Sequence, residues 1–270
     1  MPKFVAVVGG KHSGKTTVIQ HLISELRRRG YRVGSVKEMP RAHWIDVPGK
    51  DTWEHGRAGA EIVIATSLNE AACFIKKKTS LNETLPFFHE LDYIVLEGFE
   101  NEKTVPKIIA AKDAEEAAAF SDGLAITISG IIAGSDEEIR KASILKVPIV
   151  NCETEPEKLA DTVEQKAFPN LPSLSHCGEC GYSSCYEFAK AIVAEKETAK
   201  KCPLLMRDDV VLEVNGDRIP LKLFPRAIIK NIVIGMVSSL NGVKEIGEVK
   251  IVVRKNDVGT PRDFTTSRRV

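Results

Sequence analysis

The sequence predicts an α/β protein whose mostly parallel sheet carries helices on both faces, followed by a small cysteine-ligated module and a small α+β unit. Apolar, β-branched runs alternate with helix-patterned segments over the first 168 residues, which is typical of a parallel sheet. Four of the six cysteines then cluster in one short stretch, and Asn215-Gly216 between two alternating runs indicates a hairpin. The predicted domains are residues 1–168, a linker at 169–176, a cysteine module at 177–209 and a C-terminal unit at 210–270.

The strands are predicted from short apolar runs that are rich in β-branched residues. They are Lys3–Val8, Arg32–Glu38, Glu61–Thr66, Ala71–Ile75, Asp92–Gly98, Lys107–Ala111, Gly123–Ser129 and Val147–Val150. Cys73 and Cys152 fall in strand or strand-end positions. We therefore expect both to be buried structural thiols.

The helices are predicted from apolar residues at helical spacing and from capping residues at their starts. They are Thr17–Leu26, a short helix opened by the capping box Asp51-x-x-Glu54 toward Gly59, a helix from the capping box at Ser80 to Leu91, and capped helices from Ser135 and Thr154. The first helix is followed by three arginines and Gly30. Cations there suit the negative end of the helix dipole, and glycine is a common stop.

The C-terminal unit is predicted from a hairpin, a helix and a strand. The runs 210–214 and 218–222 flank Asn215-Gly216, apolar residues from Phe224 to Leu240 share one helical face, and Glu248–Arg254 alternates as a strand. The last dozen residues are polar, and we expect them to fray.

Composition and charge describe an ordinary globular protein. Hydrophobic residues make up 43% of the 270 residues and charged residues 28%, and the length predicts more than one domain. The formal net charge of +1 gives no reason to expect nucleic acid or an anionic membrane as a partner. No apolar run reaches the length of a membrane span and no signal-peptide pattern precedes the first strand. We therefore expect a cytoplasmic protein, in which clustered cysteines favour metal binding.

A phosphate-binding loop follows the first strand. The residues Gly9, Gly10, Lys11, His12, Ser13, Gly14, Lys15, Thr16 and Thr17 fit the pattern G-x-x-x-x-G-K-[ST]. A strand, a glycine-rich loop and a helix stand in the required order, which favours a P-loop NTPase over a chance match in a glycine-containing turn. In such a loop the backbone N–H groups cradle a polyphosphate, Lys15 reaches the outer phosphates and the Thr16 hydroxyl binds Mg²⁺.

Glu97 is the predicted carboxylate of the magnesium site. Mg²⁺ or its water needs a carboxylate opposite the threonine hydroxyl, and Glu97 ends an apolar strand where open α/β sheets bind ligands. Asp92 begins the same strand, on the wrong edge. The alternative is that Glu97 merely ends a strand. We assign Lys15 and Glu97 the catalytic roles, and Thr16 and Glu97 the binding of Mg²⁺.

The loop Met39–Lys50 is predicted as a switch segment after the second strand. In it, Asp46 is a candidate for the metal shell and Lys50 for a phosphate or an anionic substrate. Asp51 has an equally good structural explanation as the N-cap of the next helix.

The first 168 residues resemble the molybdopterin-guanine dinucleotide biosynthesis protein B family, which are P-loop GTP-binding proteins of molybdenum cofactor assembly. The resemblance rests on the phosphate loop, the stretch Asp46–Thr52 with Arg57–Ala60 after it, and Val95–Phe99 followed by Pro106–Ile108. It implies GTP and Mg²⁺ as cofactors, weak GTP hydrolysis, often a homodimer, and an adapter role beside the guanylyltransferase. The chain departs from the family in keeping one histidine, His43, after the second strand. It also lacks an Asn-Lys-x-Asp motif, so that guanine preference rests on resemblance alone.

Four cysteines form a ligand set at Cys177, Cys180, Cys185 and Cys202. Four thiolates suit an iron–sulfur cluster or Zn²⁺, with metal-free thiols as a third alternative. Three closely wrapped ligands and a distant one followed by proline favour the cluster, because zinc sites usually pair two short knuckles. A capping box at Ser184 places Cys185 in the first turn of a helix that is predicted to run to about Lys200. There the helix dipole favours a thiolate.

This segment also resembles the 4Fe-4S domain of corrinoid iron–sulfur proteins. The shared residues are Cys-Gly-x-Cys-Gly-Tyr, the third cysteine, Phe188-Ala189 and Cys202-Pro203. The resemblance implies that the four cysteines hold one 4Fe-4S cluster.

The sequence thus favours a molybdenum-cofactor GTP-binding adapter that is fused to a 4Fe-4S module. The module would sense redox state or dock to a molybdenum or tungsten oxidoreductase. Two alternatives stay open: a P-loop ATPase or scaffold for iron–sulfur delivery, and an ATP-dependent ligase or kinase of dethiobiotin-synthetase-like fold.

Overall fold

The computed structural model describes residues 1–39, 44–88, 90–173, 177–205, 210–219, 221, 223–240, 243, 246 and 249–253. Contacts divide the chain into two compact units, Met1–Met206 and Arg207–Val270. Parts of the predicted switch segment with His43, of the linker at 169–176 and of the hairpin, as well as the frayed tail, lie outside the described residues. The four domain boundaries stay predictions.

The first unit is built on a five-stranded parallel sheet with strand order β2-β5-β1-β6-β7. The strands are β1 (Lys3–Val8), β2 (Val33–Lys37), β5 (Tyr93–Glu97), β6 (Lys107–Ala110) and β7 (Ala125–Ser129). Between β2 and β5 in the chain, β3 (Ile62–Thr66) and β4 (Ala71–Ile75) form a separate antiparallel hairpin. The predicted parallel sheet is confirmed, but these two strands do not belong to it.

Helices cover both faces of the sheet, as predicted. They are α1 (Lys15–Arg28), α2 (Asp51–Arg57), α3 (Leu81–Thr84), α4 (Ala114–Ala119), α5 (Asp136–Ala142), α6 (Pro156–Lys166) and α7 (Cys185–Val193). Alternate residues of β1 point to opposite sides, because successive side chains of a strand alternate. Val5 and Val7 belong to one buried core with residues of α1 and α6, whereas Ala6 belongs to a second core with residues of α4 and α5.

Several predicted helix ends are wrong. Lys50 is the N-cap of α2, so Asp51 is its first residue and not its cap. The helix α6 begins at Pro156 after Glu155 rather than at Thr154, since proline suits a first helical turn. The Ser80 capping box is confirmed. However, α3 ends at Thr84 and is followed by a 3₁₀ turn that ends at residue 88, before the predicted helix end at Leu91.

One predicted strand and one predicted buried thiol also differ from the structure. The run Val147–Val150 contributes one isolated bridge, Ile128 to Ile149, and not a full strand. Cys152 is buried as predicted, whereas Cys73 is exposed. Cys73 lies in β4, and the β3–β4 hairpin leaves one of its faces open.

The cysteine-rich segment packs within the first unit. Ser184 is the N-cap of α7, and its hydroxyl accepts a hydrogen bond from Glu187 N. The helix therefore begins at Cys185 as predicted, but it ends at Val193 rather than near Lys200. Glu195 follows in the left-handed region, which ends the helical path.

The second unit holds a short hairpin and a helix. The strands β8 (Leu212–Val214) and β9 (Asp217–Ile219) flank Asn215 and Gly216, which both have positive φ, as a tight two-residue hairpin turn requires. The helix α8 (Leu223–Ser238) confirms the predicted helix. Residues 249–253 of the predicted strand Glu248–Arg254 are not in a strand, and its two end residues lie outside the described part. No helix that the structure describes is long and apolar enough to cross a membrane.

Candidate nucleotide and cysteine sites

The phosphate-binding loop lies at the edge of the sheet where the parallel strands end. It connects the buried strand β1 to α1, which begins at Lys15. His12 and Gly14 have φ of 60° and 91°, so the loop visits the left-handed region twice in three residues. Backbone N–H groups in such alternating turns converge into a concave cradle for anions. The local conformation therefore fits the predicted phosphate-binding loop.

Close packing requires glycine at the start of this loop. An ideal Cβ at Gly9 would lie 1.9 Å from Ala110 O at the end of β6, and one at Gly10 would lie 1.9 Å from Glu116 Oε1 on α4. Both distances are far below van der Waals contact. A larger residue at Gly9 would clash with the backbone of the neighbouring strand, whereas one at Gly10 would require only that the Glu116 carboxylate move aside.

An open cavity of about 480 Å³ brings the main predicted groups together. It is lined by Lys11, His12, Ser13, Gly14, Lys15, Thr16, Thr17, Glu97 and Ile131. Its volume falls in the range that is typical of small-ligand sites. The phosphate loop and Glu97, which are about 80 residues apart in the chain, therefore face one space.

Polar groups of the loop are poised toward this space. Lys15 Nζ donates hydrogen bonds to Gly9 O at 2.9 Å and to Gly10 O at 2.5 Å. Ser13 Oγ is the one buried side-chain polar atom of the described residues that has no hydrogen-bond partner. An unpaired buried hydroxyl is costly, and a hydroxyl suits a phosphate oxygen. Both observations fit a polyanion in this loop.

Glu97 is held in place by the ends of two strands. Its Oε1 accepts a hydrogen bond from Lys37 Nζ at 2.8 Å across the β2–β5 pair. The next two residues, Gly98 and Phe99, have φ of 90° and 57°, and Phe99 N donates to Glu38 Oε2 at 2.9 Å. A phenylalanine in the left-handed region is unusual and is typical of functional turns. Sequence reasoning missed Lys37 and Glu38 because the pairing of β2 with β5 is not visible in the sequence.

Asp46 and Lys50 do not line this cavity. Asp46 is buried, and its Oδ2 accepts a hydrogen bond from Lys76 Nζ at 2.6 Å while its Oδ1 accepts one from Thr52 Oγ1 at 2.9 Å. The hydrogen bond from Lys76 lowers the pKa of Asp46 against the opposing effect of burial. The carboxylate thus ties its loop to the β3–β4 hairpin and to α2. Its predicted metal role, and the phosphate role of Lys50, stay predictions.

Two groups near the loop escaped sequence reasoning. Glu116 packs over Gly10, and Ile131, which follows β7, lines the cavity with 56% of its surface exposed. A signal for the first was present: Asp113 caps α4 by accepting a hydrogen bond from Glu116 N, which is an Asp-x-x-Glu capping pattern. Nothing in the sequence marked Ile131, because its position depends on the packing of β7 beside β6.

The four clustered cysteines line a second cavity. Cys177, Cys180, Cys185 and Cys202 share it with apolar side chains that include Phe188 and Leu204. Cys202 is buried and the other three are half-buried. Burial raises the pKa of the Cys202 thiol. In the described residues, no three His, Cys, Asp or Glu side chains are arranged to hold a single metal ion.

This donor set fits an iron–sulfur cluster. Cluster irons are held by cysteine thiolates, four for a 4Fe-4S cluster, and apolar surroundings tune such a site. Cys185 is the first residue of α7, where the positive end of the helix dipole stabilises a thiolate.

Comparison with known proteins matches the nucleotide site and the cysteine site to two different families. Residues 4–132 match the family MobB, described as "Molybdopterin guanine dinucleotide synthesis protein B". Residues 174–204 match a family described as "Putative Fe-S cluster". The two matches cover the phosphate loop with Glu97 and the four clustered cysteines, respectively.

Individual relatives are similar over part of the chain. The molybdopterin-guanine dinucleotide biosynthesis adapter protein of Escherichia coli is 32% identical over 119 residues, which span 42% of this chain and 67% of that protein. The adapter protein of Haemophilus influenzae is 33% identical over 109 residues, 39% of this chain and 61% of that protein. The crystal structure of Bacillus subtilis MobB is 21% identical with a TM-score of 0.49 and covers 59% of this chain and 97% of that one. The chain belongs to the MobB family of molybdopterin guanine dinucleotide biosynthesis adapter proteins, with a second family match, to the "Putative Fe-S cluster" family, over residues 174–204.

Proposed function

We propose that the chain is a GTP-binding adapter of molybdopterin guanine dinucleotide biosynthesis that hydrolyses GTP slowly. The observation that carries the proposal is the single open cavity shared by Lys15, Thr16 and Glu97. These are the cation, the hydroxyl and the carboxylate that a magnesium–nucleoside triphosphate complex needs. The E. coli and H. influenzae relatives are adapter proteins of this pathway by name.

Each group has a distinct role in the proposed site. The loop N–H groups and Lys15 bind the phosphates, and Lys15 offsets charge on the outermost one. Thr16 and Glu97 hold Mg²⁺ from opposite sides. The described lining of the cavity contains no arginine, which fits slow hydrolysis because an arginine finger supplies much of the rate in fast P-loop enzymes. With slow hydrolysis, the GTP-bound form would persist long enough to bind a partner protein.

The cysteine site is proposed to hold a 4Fe-4S cluster on Cys177, Cys180, Cys185 and Cys202. When bound, such a cluster supplies one-electron redox chemistry. The four thiols hold it, the apolar wall of the cavity excludes water from it, and the start of α7 stabilises the charge of Cys185. The adapter would thereby sense redox state or dock to a molybdenum or tungsten oxidoreductase.

The pathway partner is proposed to be the guanylyltransferase that joins GMP to molybdopterin, with the chain acting in the cytoplasm as a homodimer. Size-exclusion chromatography with light scattering tests the dimer. Co-elution with the purified guanylyltransferase in the presence of GTP, and not without nucleotide, tests the partner. A monomer that never co-elutes with this enzyme would contradict the adapter role.

The most informative experiment measures nucleotide preference and metal content on one anaerobic sample. We expect tighter binding of Mg²⁺–GTP than of Mg²⁺–ATP, a brown protein and about four irons per chain. A preference for ATP would instead support a ligase, a kinase or an ATPase for iron–sulfur delivery. A colourless protein that holds one Zn²⁺ would refute the cluster.

A further inference from the structure

We infer that the nucleotide-binding sheet packs against the apolar core of the cysteine site and locks that site in place, so that the cluster is a resident group and not cargo for delivery. The inference rests on the proposed cluster and adds the residues outside the cysteine-rich segment that hold it. Four residues form what we call the latch: Lys103, Lys107, Asp122 and Tyr186.

The cysteine site lies at the edge of the sheet where the strands begin, opposite the nucleotide cavity. Phe4 N, at the start of β1, donates a hydrogen bond to Phe168 O at 2.9 Å, just before the cysteine-rich segment. Leu124 precedes β7 and belongs to the core of the cysteine site. The phosphate loop instead follows the end of β1, a strand of six residues, which at the usual rise separates the two edges by about 20 Å. A bound nucleotide and a cluster would therefore not touch.

One apolar core joins the sheet to the cysteine site. Leu124, Phe168 and Leu171 pack in it with Phe188 and Ala189 of α7 and with Cys202. Leu124 and Leu171 are completely buried, and Cys202 is 6% exposed. Cys202, a predicted cluster ligand, thus lies in a core that is built by both the sheet region and the cysteine-rich segment. Moving that ligand outward would expose the apolar side chains around it, which is unfavourable.

The latch adds polar contacts beside this core. Tyr186, the residue after Cys185, donates its hydroxyl to Asp122 O at 2.6 Å. Asp122 Oδ2 accepts hydrogen bonds from Lys107 Nζ at 2.8 Å and from Lys103 Nζ at 2.7 Å. Lys103 Nζ also lies 5.4 Å from the centre of the Tyr186 ring, within range of a cation–π contact. The backbone next to one predicted ligand is therefore tied to the turn before β7.

The buried lysine makes this turn a fixed anchor. Lys107 is only 2% exposed, and its ammonium is satisfied by Asp122 and by Glu100 O at 2.7 Å. Removing one partner of a buried ion pair leaves an uncompensated charge, which is strongly destabilising. Asp122 therefore has to stay where it is, and so does the carbonyl to which Tyr186 binds.

The geometry has a functional consequence. Passing a cluster to an acceptor protein requires the ligands to open toward that protein. Here opening would break the shared core and the latch together. The latch residues are positioning residues for the cluster, and the second hypothesis of the sequence, iron–sulfur delivery, is disfavoured.

The test compares two pairs of matched variants of the full chain. Tyr186→Phe removes the hydroxyl donor and keeps the ring, while Tyr31→Phe removes a tyrosine hydroxyl just before β2, the edge strand at the other end of the sheet order. Leu124→Val thins the shared core, while Leu22→Val thins the core beneath α1. The readouts are the rate of iron loss to a ferrous chelator, hydrogen exchange of the α7 amides, and Mg²⁺–GTP affinity.

We expect Tyr186→Phe and Leu124→Val to lose iron at least about fivefold faster and to exchange α7 amides faster, with nucleotide affinity unchanged. The two control variants should keep wild-type rates of iron loss. Equal acceleration in Leu22→Val would show that general stability, not the latch, retains iron, and would overturn the inference. Wild-type protein that passes its iron to an apo-ferredoxin much faster than it loses iron to the chelator would also overturn it.

The proposed cluster and the inferred latch would be refuted by different results. If the wild-type chain holds no iron, the proposed cluster is wrong, and hydrogen exchange still decides on the latch. Unchanged exchange of the α7 amides in Tyr186→Phe and Leu124→Val would then refute the latch itself. Faster exchange confined to these two variants would support it as a device that holds the cysteine-rich segment to the sheet.

Discussion

Replacing Lys15 with alanine should weaken nucleotide binding strongly while leaving the fold intact. Lys15 is the first residue of α1, and its side chain faces the cavity instead of the core. Its ammonium donates to Gly9 O and Gly10 O, so it is already directed at the loop that is expected to hold the phosphates. Alanine is a good helix former, and the loop keeps its packing on Ala110 and Glu116.

The expected loss of affinity is the difference between what Lys15 contributes in the nucleotide-bound protein and what it contributes in the free protein. Hydrogen bonds to charged groups contribute about 1.5–3 kcal/mol each, and we expect Lys15 to make one or two with the outer phosphates. The substitution also removes the two hydrogen bonds that Lys15 makes to the Gly9 and Gly10 carbonyls in the free protein. Their loss destabilises the free protein too and offsets roughly 1 kcal/mol of the loss in the bound state. One or two such bonds less this offset leave a net loss of about 0.5–5 kcal/mol, and the middle of that range, about 2.5 kcal/mol, corresponds to a roughly 70-fold weaker Kd.

Isothermal titration calorimetry with Mg²⁺–GTP measures this loss directly. Lys158→Ala is the matched control, because it removes the same charge from an exposed position on α6 that does not line the nucleotide cavity. We expect less than about a threefold change for the control, since an exposed charge contributes little. Wild-type affinity in Lys15→Ala, or an equal loss in both variants, would refute the assignment of the site.

Three further predictions concern other parts of the molecule. Glu97→Gln should impair Mg²⁺-dependent hydrolysis more than nucleotide binding, because it removes charge from the metal site; equal hydrolysis rates would return Glu97 to a purely structural role. Burial would raise the pKa of Asp122, but the bonds from Lys103 and Lys107 outweigh it and lower that pKa. The stability that Asp122 adds is therefore full above the pKa of an unfolded aspartate and is lost as pH falls through the lower folded value, so the urea midpoints of Asp122→Asn and wild type should converge in acid. Ser135→Ala removes the oxygen that accepts from Glu138 N at the start of α5 and should cost ~1 kcal/mol of unfolding free energy in urea; an unchanged midpoint would contradict the cap.

The nucleotide site was predictable where its signals are local. The phosphate loop needs a strand, glycines and a helix in direct succession, and all of these lie within the first 28 residues. Glu97 was predictable from one rule, that ligands bind at the carboxyl ends of parallel strands. The cavity that contains Glu97 and the loop agrees with that rule, whereas their catalytic and metal roles await measurement.

Other parts depended on partners that are distant in the chain. Asp46 lies in the segment predicted as a switch, yet its carboxylate is bound by Lys76, 30 residues away. Cys73 was expected to be buried because it sits in a strand, but its strand pairs only with β3 and leaves one face open. A strand pattern reports that a segment is extended, and it does not report what covers each face.

The sequence by itself predicted most of the strands and helices, the phosphate loop and the clustering of four cysteines, because capping residues, glycines and cysteine spacing act over a few residues. Only the tertiary structure decided that Lys37 pairs with Glu97, that the two sites lie at opposite edges of the sheet, and that Tyr186 is tied to Asp122. Such contacts join residues about 60 positions apart, and they form because strand order and the burial of apolar faces bring those segments together. The latch, and the case for a resident cluster, come from that arrangement.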